Sequence, residues 1–119
     1  MPHLCVLLLH SSDEPDLAAA AIGAAHATVA AGRPAALYLE SEGARLGAKG
    51  VAEALSRGGR PDLAALLAAF VKAGGRVLVS GPSWRERGFA ADALLPGASI
   101  VEREALSTLA AEGFVFASF

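Results

Sequence analysis

One cysteine, one tryptophan, one tyrosine and one methionine in 119 residues leave this chain poor in the side chains that usually announce chemistry. A single thiol forms no internal disulfide and builds no thiolate metal site, which fits a reducing compartment. Charge of one sign is also scarce. Ten Lys+Arg against twelve Asp+Glu give a formal charge of -2, too little field to hold nucleic acid or an anionic membrane surface. Long apolar runs are missing as well: hydrophobic residues make up 54% of the chain, but much of this is alanine, and no run approaches the roughly 20 residues that a membrane helix needs. The opening Met1-Pro2-His3 carries no basic segment, and no small-residue cleavage site follows the first apolar run, so a cytoplasmic location is expected, away from any membrane.

What is present is an alternation of apolar runs and helical stretches within a length that suits one domain, residues 1–119. Residues 4–9 are apolar without alternation, as in a strand covered on both faces. Asp13, Pro15 and Asp16 then open a helix that runs to about Ala31, where Gly32 is placed to stop it. Residues 35–39 form a second strand. The segment 44–59, punctuated by glycine and flanked by Arg45, Lys49, Arg57 and Arg60, reads as a loop with a short helix and as the most mobile region.

Pro61-Asp62 starts a helix whose Leu63, Leu66, Leu67, Phe70 and Val71 fall on one stripe before Gly74-Gly75. A third strand covers 76–79, a turn 80–84, a short helix 85–95, a short strand 99–101, a last helix 102–112 and a closing strand 114–117 whose direction the pattern leaves open. Strands alternating with helices imply a three-layer α/β/α sandwich around an open, mainly parallel five-stranded sheet. The similar stretches 29–33 and 71–76 read as two copies of one helix-to-strand turn and not as an internal repeat.

In such sheets ligands sit beyond the carboxyl ends of strands where the strand order reverses, commonly between strands one and three. That places a candidate ligand site at His10, Ser11 and Ser12 after strand one and at Ser80, Gly81, Ser83, Trp84 and Arg85 after strand three, with Glu42 and Gly43 from strand two close by. Ser80 or Ser11 can be drawn with His10 and Asp13 as a hydrolase, but the glycine spacing of a nucleophile elbow is absent, and turn serines ordinarily cap helices. Gly81 and Gly88 lack the lysine and spacing of a phosphate-binding loop, so no nucleotide and no other cofactor is expected. Arg85 and Arg87 can hold a small anion, although a solvated arginine pair is the commoner arrangement. His3, His10 and His26 are too scattered to ligate a metal. Cys5, inside strand one, reads as a small core hydrophobe, and Trp84 as a lid over a ligand or an anchor in a subunit contact.

Taken in order, several soft motifs resemble the DsrE/DsrF-like family, which includes small subunits of bacterial sulfur-relay complexes. They are the opening strand with its polar turn and alanine-rich helix, Gly32 before strand two, Tyr38-Leu39-Glu40 leading to Glu42-Gly43-Ala44, and Val77-Leu78-Val79-Ser80 followed by Arg87-Gly88-Phe89. The resemblance implies a strand order beginning 2-1-3, assembly as trimers or hexamers, and a persulfide-bearing cysteine at the end of strand three. Counting back from Arg87-Gly88 puts Ser80 at that position, and a hydroxyl near neutral pH is a poor nucleophile that forms no stable persulfide analogue. The expected protein is therefore a non-catalytic relative, binding a small ligand or a partner as a subunit of a homo-oligomer linked to sulfur metabolism. The alternative is a sulfur carrier that uses Cys5 or the thiol of a sulfur-relay partner.

Overall fold

The computed structural model describes residues 2–55 and 62–119. Arg57, Gly59, Arg60 and Pro61, which figure in the expected loop and helix start, lie outside the described residues.

β1 (His3–Leu8), β2 (Ala35–Leu39), β3 (Arg76–Ser80), β4 (Ala98–Val101) and β5 (Phe114–Ser118) form one sheet in the order β4-β3-β2-β1-β5, with every neighbouring pair parallel. The α/β sandwich with a parallel five-stranded sheet is therefore present, and the closing strand runs with the others. The expected order beginning 2-1-3 is not. β2 lies between β1 and β3, and β5 takes the second edge of β1. The sequence pattern shows that crossovers exist but carries no record of which edge each strand joins.

α1 (Pro15–Ala30) and α3 (Leu63–Lys72) cover one face. In α1 the buried positions Ala18, Ala21, Ile22, Ala25 and Thr28 follow a three-and-four spacing, and the small alanines allow a close approach to the sheet. Asp62 caps α3 by accepting from the Ala65 N–H at 3.0 Å. Both helices end at a glycine with positive φ, Gly32 at 83° and Gly74 at 98°, so the two similar segments are one αL stop used twice. Among the described residues, only α5 (Glu104–Ala111) covers the other face, where Leu109 packs with Cys5, Ala36, Tyr38, Leu78 and Phe114. With cover on both sides, all five residues of β2 are buried.

Between β2 and α3, the expected loop with a short helix is described over residues 44–55. A 3-10 helix spans Ser41–Gly47, and α2 follows at Val51–Leu55. The expected helix over 85–95 is corrected: α4 spans Gly81–Glu86, beginning within the expected turn, and Gly88, at φ 75°, ends it before a 3-10 turn at Ala91–Ala93.

Candidate functional site

The carboxyl ends of β1, β2 and β3 bring three polar groups to one rim of the sheet. Ser80 ends β3 and caps α4, its Oγ accepting from the Ser83 N–H at 3.3 Å. The Ser83 hydroxyl in turn accepts from the Ser41 N–H at 2.9 Å, tying the end of β2 to α4. Ser41 holds a φ of 52°, a left-handed conformation uncommon for a side chain with a Cβ. Burial, followed by the nearby Glu40 charge, raises the pKa of the Tyr38 phenol.

Glu42 is the hub of the second group. Its carboxylate accepts from Arg45 Nε at 3.0 Å and from Arg87 Nε at 2.8 Å, while Arg87 Nη1 also donates to the Ser83 carbonyl at 3.2 Å. Those two guanidinium groups hold the Glu42 carboxyl below the usual carboxylate range. A depressed carboxylate contributes stability above its ordinary value near 4.5 and loses it as pH falls through the folded value. E42Q is accordingly expected to melt below wild type at around pH 7, and the gap is expected to narrow as pH falls below 4.5, as followed by circular dichroism. Beside this hub, Gly43 is pressed on the Leu8 carbonyl so closely that a Cβ has no room, which fixes the 3-10 helix against the end of β1.

The third group lies on the β1 loop. His10 Nδ1 and Asp13 Oδ2 are 2.7 Å apart, and the Ser11 N–H donates to Asp13 Oδ1 at 2.8 Å. The His10 bond first, then the Ser11 amide, lower the Asp13 pKa. An acid therefore orients a histidine, but neither Ser11 nor Ser80 completes the relay: the buried Ser11 Oγ has no hydrogen-bond partner and Ser80 Oγ serves as a cap. Ser12 is exposed beside this group. Among the described residues, no three His, Cys, Asp or Glu side chains are placed to hold a metal ion.

One sequence expectation changes here. Trp84 is no lid or exposed anchor. It is 2% exposed, packed in the core with its ring centroid 4.8 Å from that of Phe89 and its Nε1 unpartnered. Arg85, expected at the ligand, is paired with Glu102 through two contacts of 3.1 and 2.9 Å. With β2 between β1 and β3, the place where successive crossovers leave in opposite directions moves to β3 and β4, because α4 packs with the α1 face and α5 lies on the other. Gly81 and the Arg85–Glu102 pair fill that place, since a Cβ on Gly81 meets Glu102 Oε2. Glu102 carried no sequence signal, being separated from Arg85 by 17 positions.

An apolar cavity of about 360 Å³ lies at the opposite end of the strands, between α2, α3 and the starts of β3 and β4, with Leu67, Val71, Val77, Leu95 and Ala98 among its walls. It shares no residue with the polar rim.

Residues 3–117 match the DsrE/DsrF-like family. The chain belongs to that family. Among solved structures, this DsrE-like protein is similar to a protein of unknown function, MTH1491 from Methanobacterium thermoautotrophicum, with a TM-score of 0.73, 13% identity and all of both chains covered. It is also similar to the ychN protein from E. coli, with a TM-score of 0.74, 16% identity, and 98% of this chain and 99% of that one covered. At these identities the likeness is one of fold. No curated protein matches. Among the described residues, no helix of this DsrE-like chain is long and apolar enough to cross a membrane.

Proposed function

We propose that this DsrE-like chain is a non-catalytic, single-domain cytoplasmic subunit of a homo-oligomer, a trimer or hexamer linked to sulfur metabolism, which binds a small molecule or a sulfur-relay partner at the rim formed by His10, Ser11, Ser12, Glu42, Gly43, Ser80, Gly81, Ser83 and Arg85. The observation that carries the reading is the state of the two groups on which sulfur would have to ride. Cys5 is the only thiol in the chain, is wholly buried, and has its pKa pushed up to about 11 by that burial. Ser80, at the end of β3, is 2% exposed and spends its hydroxyl on the α4 cap. Neither presents a nucleophile to a sulfur donor.

Family membership supports the link to sulfur metabolism. At the rim the exposed Ser12 hydroxyl and the half-buried His10 imidazole are donors and acceptors that a small polar ligand or a partner's loop would use. Treatment of the native protein with inorganic polysulfide, followed by intact-mass measurement, is expected to show no added sulfur. A stable gain of sulfur on Cys5 would overturn the reading in favour of sulfur carriage.

A further inference from the structure

Among the described residues, only two large hydrophobic side chains are exposed, and they are neighbours: Val115 at 48% and Phe116 at 40%. Both lie on β5, an edge strand hydrogen-bonded on one side to β1 and, among the described residues, unpaired on the other. Consecutive residues of a strand point to opposite faces. Val115 is in register with Leu4, which packs with the α1 face, and Phe116 with Cys5, which packs with the α5 face. A helix or small molecule laid on either face covers one of them and leaves the other wet. What covers both, and also meets the open row of backbone donors and acceptors between them, is a strand running alongside.

β5 carries none of the features that protect an edge. Its sequence, Phe114-Val115-Phe116-Ala117-Ser118, has no charge, no proline and no glycine. At the opposite edge, β4 exposes the polar Ser99 and no large apolar side chain. The same absence of charge lets β5 lie against itself without placing like charges opposite one another. In an antiparallel pairing centred on Phe116, that ring faces its own copy and each Val115 lies opposite the small Ala117 of the partner subunit, an aromatic pair flanked by large-to-small matches.

We propose that β5 pairs antiparallel with β5 of a second copy across a two-fold axis through Phe116, joining two sheets into one. The proposal rests on the homo-oligomer reading and names one of its contacts. An isologous contact joins copies in twos, so it selects the hexamer over the trimer.

Light scattering on the eluting wild-type protein is expected to give an even multiple of the 12.0 kDa protomer mass, and V115K and F116K are each expected to halve it. One copy overturns both this pairing and the homo-oligomer reading, whereas three copies overturn the pairing alone. A V115K or F116K protein that stays folded at the wild-type mass overturns the pairing, as does dissociation by only one of the two, which would mark a cover on a single face. A check that needs no charged variant is F116C under copper-catalysed air oxidation. Self-facing residues of an antiparallel pair have Cα atoms about 4.5–5.5 Å apart, within disulfide reach, so a covalent dimer is expected and its absence overturns the pairing.

Discussion

Replacing Trp84 with alanine is expected to cost about 3–5 kcal/mol of folding stability, measured by denaturant titration, which is a large share of what a domain of this size possesses. The ring is 2% exposed, with Phe89 beside it and Gly47 beneath. It also anchors α4, and hence the Ser80 cap and the Ser83 link to Ser41. W84F is expected to cost much less, about 1 kcal/mol. The indole Nε1 is buried without a partner, so phenylalanine forfeits volume but also removes an unsatisfied donor. If alanine and phenylalanine cost the same, packing is not what the tryptophan supplies.

Native Cys5 is expected to react with a thiol reagent at least about a hundredfold more slowly than the same residue in unfolded chain near neutral pH. Two effects act in the same direction. Burial raises the thiol from 9.0 to about 11, only partly opposed by the Arg76 charge, and those two pH units alone cut the reactive thiolate about a hundredfold. The side chain is also 0% exposed, so reagent must wait for the sheet to open beneath α5. Intact-mass labelling with and without denaturant measures the ratio. Comparable rates in the two states would mean that β1 does not hold its place between β2 and β5.

Much of this fold was legible as a list of elements and little of it as an arrangement. The unbroken apolar run at Leu4–Leu9 and the glycine stops at Gly32 and Gly74 announced a covered parallel sheet, because burial on both faces and the αL stop leave local marks. Strand order left none: whether β3 joins β1 or β2 depends on crossovers whose sequences read the same either way. The candidate site suffered for it, since Ser80 and His10 were expected side by side and β2 separates their strands. Gly43 packs on the Leu8 carbonyl at the end of β1, and Glu42 pairs with Arg87 across 45 positions of sequence. Trp84 misled because a lone tryptophan after a strand suits a site mouth and a core equally well, and only its packing against Phe89 separates the two. The partner of Arg85, Glu102, lies beyond any local spacing rule.

The placement of β1 between β2 and β5 also shapes the order in which the protein can be made. A chain emerging amino end first completes β1 and β2 early, but the second neighbour of β1 and the helix that shields Cys5 come only with residues 104–118. Closing that side of the sheet joins segments about a hundred positions apart, a slow kind of contact for a domain this small. During synthesis the buried, inert thiol of the finished protein is therefore an open one, and the interval before β5 docks is when oxidants and chaperones have their access to it.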